Sequence, residues 1–440
     1  MTSNCKILIV TFPGQGLINP SLRFANRLVK MGVDVTFCTS QRVTDIINKE
    51  ITPKGVTYAP LFDGHNLVIG KKPTSTFQQF LSDFATKGTC AVAEIICSAA
   101  DKGQPFDHVV YTTMIPWVAH VAKAHGVKST LLWCQPAIIL DIYYYYFNGY
   151  EKLISSNNNN PMFPLNLPGL PPLTMADMPS FFLKESGRND HEFILSIYKE
   201  HIDVLKTAPR ILINTFNELE AESMKAIENI QFLPIGPLDE KDAYGTPDES
   251  YVNWLNTKPK KSVVYVSFGS VARLSSDQAE EMAIGLLNSG RPFLWVIRDE
   301  EEATKLSKIH ELKKQGMIVQ WCCQVEVLGH EAIGCFVTSC GWNSTLEALA
   351  AGVHMVAYPQ WSDQGTNAKM IEDVWKVGVR VGKKEGNVVV EGKEIERCVQ
   401  KVMGDEKISV NVLKWKNLAK KVVEDGGLST SNLKSFVVDV

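Results

Sequence analysis

Residues 321–364 read WCCQVEVLGHEAIGCFVTSCGWNSTLEALAAGVHMVAYPQWSDQ. Phe336–Ser339 is a strand end, Cys340-Gly341 turns the chain, and Asn343-Ser344 opens a helix. A helix start offers backbone N–H groups and a positive dipole end, so it suits an anion. Gly341 carries no side chain to keep a ligand off the backbone. Together these residues predict a phosphate cradle. Trp321 follows a strand and can turn its ring face to a flat base. Glu347, one turn into the helix, suits sugar hydroxyls and repels phosphate, and Asp363-Gln364 pairs an acceptor with an amide for further hydroxyls. A strand-turn-helix with glycine is common, and a lone tryptophan is more often core than platform. The order and spacing of the pieces carry the signal.

The same strand-loop-helix grammar extends on both sides. Downstream of a Pro-, Gly-, Asp- and Lys-containing stretch at 234–247, strands are predicted at Ser262–Phe268, Phe293–Ile297, Met317–Gln320, Cys335–Ser339 and Met355–Tyr358, with helices between them. Two polar-faced helices follow, near Glu391–Met403 and Val410–Glu424. Upstream, Lys6–Phe12 is an apolar run suited to a buried parallel strand. Pro13–Ile18 is predicted as a loop, and a helix as starting near Asn19-Pro20, with Asn as cap and Pro in the first turn. Further units lie at Val33–Cys38, Asp107–Thr112, Pro116–His125, Ser129–Cys134, Glu192–Thr207 and Arg210–Asn214. The Asn- and Pro-rich stretch 157–179 is predicted as a long ordered loop.

Repeated β-loop-α units mean doubly wound parallel sheets, with ligands at the carboxyl ends of the strands. The expected class is α/β, with two facing Rossmann-like domains and an interdomain cleft. Residues 1–236 form the first domain, 237–248 a linker, 249–425 the second domain, and 426–440 a tail packing back on the first.

The bulk composition excludes several classes. A chain of 440 residues favours two domains, and 45% apolar with 21% charged residues is ordinary for a globular protein. A net charge of −3 provides no basic field for nucleic acid or an anionic membrane surface. Residues 1–12 do not read as a signal peptide, because the apolar run breaks at Pro13-Gly14. The longest apolar stretch, Leu131–Phe147, is interrupted by Gln135, Pro136 and Asp141 and does not read as a membrane span. Ten irregularly spaced cysteines predict reduced thiols in the cytosol. Cys322-Cys323 and Cys335/Cys340 lack the flanking Cys/His pairs of a metal site. No metal is expected, and a monomer is.

With the motif FPGQGLINP at 12–20 and the box at 321–364, the chain resembles plant secondary-metabolite UDP-glycosyltransferases over nearly its whole length. Its amino-terminal half most resembles the branch acting on anthocyanidin hydroxyls and small carboxylic acids. The resemblance implies a GT-B type fold, an inverting transfer and UDP-glucose as co-substrate, with no cofactor. It implies that Trp321 stacks on uracil, with Cys322 and Gln324 beside the nucleoside and Glu347 on the ribose. Asn343, Ser344, Ser339, Gly341 and Ser270 then surround the diphosphate, while Trp342, Asp363 and Gln364 face the sugar. Gly16, Met114, Ile115, Phe182 and Trp361 are the implied acceptor-side residues.

Three positions depart from the family pattern. Leu17 stands where the family carries the histidine that takes the acceptor proton, Thr112 where an aspartate orients that histidine, and Ser339 where a histidine faces the diphosphate. His354 replaces a common proline, read as a local backbone matter. Leucine accepts no proton, so an acceptor that is already ionised is expected: a carboxylate or an acidic phenol. His65, in Asp63-Gly64-His65, is a candidate substitute base, against the plainer reading of an exposed loop histidine. His120 and His125 read as surface or packing groups, and Tyr143–Tyr146 as a ligand patch of which part must be core or surface. The rival expectation is a descendant of the fold that binds a metabolite without chemistry, or catalyses a non-glycosyl reaction. A nucleotide-sugar sensor has no interaction tail or charged patch to support it.

Overall fold

The computed structural model describes residues 5–46, 55–61, 77–184, 191–238, 249–382 and 389–440. His65 and linker residues 239–248 lie outside them. The described residues fall into two compact units.

The first unit carries β1 (Lys6–Val10), β2 (Asp34–Cys38), β3 (Val56–Tyr58), β4 (His108–Thr112), β5 (Lys128–Trp133), a two-stranded ribbon of β6 (Pro164–Leu165) and β7 (Leu173–Thr174), β8 (Arg210–Ile213) and β9 (Gln231–Pro234). Seven strands form one sheet in the order β3-β2-β1-β4-β5-β8-β9. Each pairing in it is parallel. Ile7, Leu8, Ile9 and Val10 are each 0% exposed, because helices cover both faces of a parallel sheet. Each such side chain contributes about 1.5–3 kcal/mol when buried. The strand order reverses between β1 and β4, the position at which open α/β sheets place their ligands.

The helix after β1 begins at Gln15, ahead of the start predicted from Asn19-Pro20. Gly14, in extended conformation, is its cap, and its carbonyl accepts from the N–H groups of Leu17 (2.8 Å) and Ile18 (2.9 Å). Pro20 therefore lies inside the helix, where an early start is favoured by bringing Ile18, Leu22 and Ala25 onto one buried face. Most of the predicted 13–18 loop is thus helical.

The second unit carries β10 (Val263–Ser267), β11 (Phe293–Val296), β12 (Met317–Val319), β13 (Ile333–Thr338), β14 (His354–Ala357) and β15 (Gly378–Arg380). They form a parallel sheet in the order β12-β11-β10-β13-β14-β15, reversing between β10 and β13. Both units are thus Rossmann-like.

Two segments leave their neighbours in sequence. Ala176–Ser180, placed in the first domain by the sequence, clusters with the second unit. The buried Asp177 carboxylate takes the Arg380 guanidinium at 2.8 Å, and Thr366 Oγ1 donates to its carbonyl at 2.6 Å. The Ser180 N–H donates to the Ser362 carbonyl, and the Ser362 N–H returns a bond to Ser180 Oγ. In the other direction, Val422–Val440 belong to the first unit. Their helix, Leu428–Asp439, sets Phe436 against Phe24 and His108, and Ser429 Oγ and Asn432 Nδ2 on the carbonyls of Gly236 and Pro234. Among the described residues no helix is long and apolar enough to cross a membrane.

Candidate active site

In the second unit the residues singled out from sequence gather at the carboxyl ends of β10, β12, β13 and β14. After β13 the chain turns through Cys340, whose φ of +65° lies in the left-handed region; Gly341 caps the helix Trp342–Ala351 with an ordinary φ of −58°. The strained residue of the turn is the cysteine. It is held by its own N–H on Thr338 Oγ1 (3.1 Å) and by Asn367 Nδ2 on its carbonyl (2.8 Å). The same Asn367 nitrogen reaches Asp363 Oδ2 at 2.9 Å, so one fully buried amide ties the turn to the Asp363-Gln364 pair. A Cβ added at Gly341 would meet nothing within 4 Å, so the backbone there is open to a ligand.

Gln324 connects the box internally. Its Nε2 donates to Ser344 Oγ and to Glu347 Oε2, both at 2.8 Å, and its Oε1 accepts from the Tyr265 phenol at 3.2 Å. Tyr265 is buried, stacks on Phe336 with centroids 4.8 Å apart, and also contacts the buried Cys322 Sγ at 3.4 Å. Burial pushes its phenol well above the ordinary range, so it stays protonated and donating. Gln364 Oε1 accepts from the N–H groups of Gln360 (2.8 Å) and Trp361 (3.0 Å), so its carbonyl end braces the loop. Trp321 is half-buried. The Trp342 ring is buried 6.0 Å from the Trp375 ring, so only the backbone of that residue lies at the helix start. Ser339 Oγ is turned to the Phe268 carbonyl at 3.4 Å. Ser270 follows β10, and its carbonyl and that of Gly269 accept from the Arg298 guanidinium. His354 is engaged by Gly334 O at 3.0 Å and Ser409 Oγ at 2.9 Å, so its imidazole pins the helix Glu406–Val423 to β14 rather than merely adjusting the backbone.

In the first unit, Gly16 and Leu17 occupy the first turn of the helix after β1, Gly16 exposed and Leu17 half-buried. Thr112, 0% exposed, ends β4 beside them. Its hydroxyl accepts from the Phe12 N–H (3.1 Å) and donates to Thr11 Oγ1 (3.4 Å), while Ser21 Oγ donates to the Leu17 carbonyl (2.7 Å) and lies 3.3 Å from Thr11 Oγ1. Hydroxyls and backbone make up this chain, which ends at the Leu17 backbone carbonyl. Met114, just after β4, has a φ of +74°, costly for a non-glycine residue and typical of functional turns. Ile115 is 0% exposed. Phe182 is buried against Tyr143 (5.4 Å) and Tyr146 (4.8 Å), and Tyr143 stacks on Tyr198 at 3.8 Å. Of the tyrosine run, 143 and 145 are thus core, while 144 and 146 are half-exposed. His120 pairs with Glu200 on the surface, and His125 contacts Cys97.

Below this face lies a buried carboxyl pair that the sequence did not signal. Asp141 is 0% exposed and Glu220 3%. Burial pushes Asp141 upward, with the Glu220 charge adding to it, and burial lifts Glu220 to about 7. Glu220 Oε1 accepts from the Ile138 N–H at 3.5 Å, supplying to the helix Ala137–Tyr145 the cap that Pro136 lacks. Tyr265, Asn367 and Arg298 also escaped the sequence. Tyr265 is indistinguishable by pattern from any buried strand residue, and the other two act through backbone carbonyls. Among the described residues no three His, Cys, Asp or Glu side chains gather as a metal site.

Comparison with known proteins is concordant. A family described as "UDP-glucoronosyl and UDP-glucosyl transferase" matches residues 193–422. UDP-glycosyltransferase 75C1 of Solanum lycopersicum is 47% identical, covering 99% of this chain and 98% of its own length. A crocetin glucosyltransferase of Gardenia jasminoides, described as chloroplastic, is 45% identical over 100% of this chain and 98% of its own. Among solved structures, Os79 of O. sativa in complex with UDP superposes with a TM-score of 0.86 at 30% identity, covering 98% of this chain and 99% of that one.

Proposed function

From the premise that this chain belongs to the UDP-glycosyltransferase family, as a glycosyltransferase of the plant secondary-metabolite type, we propose that it transfers glucose from UDP-glucose to a small apolar acceptor that arrives already ionised. A carboxylate is preferred, and an acidic phenol is second. The observation that carries this is what stands at Leu17 and Thr112: the first side chain accepts no proton, and the hydroxyl of the second is engaged with Phe12 and Thr11.

A carboxylic acid with a pKa of about 4 is already an anion at neutral pH. Its oxygen attacks the anomeric carbon, the bond from that carbon to the β-phosphate oxygen breaks, and UDP leaves with the electron pair. No proton moves, so no base is missed. A neutral alcohol lacks this route and forgoes the roughly 10²–10⁴-fold that general-base catalysis supplies. On the donor side, Trp321 takes the uracil, Glu347 the ribose hydroxyls, Ser344 and the helix start at Gly341 the diphosphate, and Asp363 with the Gln364 NH2 the glucose. Gly16, Met114, Ile115 and Phe182 of the first unit, and Trp361 of the second, are the acceptor-side residues of this proposal. The UDP-bound rice structure supports the donor assignment by likeness. A cytosolic location is part of the same proposal, resting on ten free cysteines; a fluorescent fusion found in plastids would overturn it.

The test is UDP release with matched carboxylate, phenol and alcohol acceptors, for the native protein and for Leu17→His. Carboxylates are expected to turn over in the native protein, and neutral phenols only in the variant. Binding of UDP without turnover of any acceptor in either protein would favour the non-glycosylating reading, for which the turn of Ser339 toward Phe268 O is the motivating observation.

A further inference from the structure

We propose that Gln324, held in place by the Tyr265 phenol, is a positioning residue that sets Ser344 as a hydrogen-bond donor toward the diphosphate, a task that Ser339 does not perform in this chain. The proposal rests on the donor-site reading above.

A carboxylate only accepts hydrogen bonds, so the amide atom 2.8 Å from Glu347 Oε2 is the nitrogen of Gln324. That nitrogen has two protons. One goes to Glu347 and the other to Ser344 Oγ, also at 2.8 Å. Ser344 Oγ is thereby an acceptor toward Gln324, and its own proton must point elsewhere. It sits in the first turn of the helix Trp342–Ala351, beside the open backbone at Gly341, where an anion is favoured. One glutamine thus assigns opposite polarities to two neighbours. Ser344 becomes a donor for phosphate oxygens, and Glu347 remains an acceptor for hydroxyls.

The oxygen end of the amide needs a partner for this to hold. Tyr265 provides it at 3.2 Å, from a ring locked by its stack on Phe336. Without the phenol that oxygen loses its donor, and the amide gains by swinging toward water, taking both N–H groups with it. Ser339 does not duplicate the task, since its Oγ is directed to Phe268 O.

The test is calorimetry of UDP and of uridine on the native protein, Tyr265→Phe, Gln324→Glu, Ser344→Ala and the double variant Gln324→Glu/Ser344→Ala. Ser344→Ala is expected to weaken UDP about tenfold, the loss of one charge-assisted bond, while uridine changes little. In Gln324→Glu the serine proton turns to the new carboxylate. UDP then weakens by at least as much, and adding Ser344→Ala costs almost nothing further, a coupling that independent residues lack. Tyr265→Phe introduces no charge and keeps the stack. It is expected to raise the donor KM several-fold with kcat held, and to weaken UDP more than uridine. Full multiplication of the Gln324 and Ser344 effects, or equal losses for uridine and UDP in Tyr265→Phe, would overturn the proposal. If Tyr265→Phe fails to fold, the Gln324/Ser344 cycle decides alone. Failure of the native protein to bind UDP at all is a different result: it removes the donor-site reading and this proposal with it.

Discussion

The two sheets reverse their strand order in the same way, one between β1 and β4 and the other between β10 and β13, yet what stands at the two reversals differs. In the second unit the carboxyl ends carry an interlocked polar set: Gln324 with Ser344 and Glu347, and Asn367 with Asp363 and the Cys340 carbonyl. In the first unit the equivalent place holds Thr112, Thr11 and Ser21 in a hydroxyl chain that ends at Leu17. One topology thus frames a site dense in charge and another without it. The fold decides where chemistry can occur, and the side chains decide which chemistry it is.

The largest effect should come from giving the first unit what the second has. Leu17→His with Thr112→Asp is expected to raise turnover of neutral phenols by about 10²–10⁴-fold and leave carboxylate turnover nearly unchanged, measured as kcat/KM for acceptors of graded pKa. An equal rise for both acceptor types would mean that the missing base is not what separates them.

Next in size is the pH dependence of the first unit's stability. Glu220 is lifted to about 7 by burial, and Asp141 is shifted in the same direction. The folded state therefore holds protons that the unfolded chain, with a glutamate value of 4.5, releases. This contribution is fully present below 4.5 and is lost as pH rises through about 7. Glu220→Gln should flatten denaturation midpoints across that window, a difference on the order of 3 kcal/mol at about 1.4 kcal/mol per tenfold change in proton affinity. A native stability that rises with pH over the same window would contradict the sign.

Smaller again is the brace of the second unit. Asn367→Ala removes the donor from a buried carboxylate and a buried carbonyl at once, and should cost about 2–3 kcal/mol in urea denaturation. The smallest change is expected from Ser339→His, which under the proposed donor site adds a donor toward the diphosphate. It should tighten UDP by about tenfold in calorimetry and leave the carboxylate preference untouched. A switch of acceptor preference in that variant would show that the contrast between the two units has been drawn at the wrong residue.

Much of the frame was legible in sequence because a parallel strand buried on both faces is a run such as Ile7–Val10 or Val263–Val266, and because the cradle at 339–344 has a fixed order. The helix start at Gln15 was not legible. An Asn-Pro pair is a genuine start signal, and only the buried stripe of Ile18, Leu22 and Ala25 shows that the chain tolerates Pro20 inside the helix. The long helix Phe77–Asp101 was passed over, since its polar and apolar residues mix without a clean stripe. At the cradle the left-handed backbone angle falls on Cys340: Thr338 Oγ1 holds its N–H locally, and Asn367 adds a tertiary bond to its carbonyl that no local pattern encodes. The carboxyl pair Asp141 and Glu220 joins residues far apart in sequence, and nothing in either neighbourhood announces the other.

The helix Leu428–Asp439 has a consequence for synthesis. It completes the unit that the ribosome begins first, and the second unit is threaded between the two parts. While translation proceeds, the faces of Phe24 and His108 that Phe436 covers stay wet, and the Arg210 guanidinium waits for Asp439, 2.8 Å away in the finished molecule. The half that is made earliest is therefore sealed last. Deleting the helix Leu428–Asp439 would damage the first unit and spare the second.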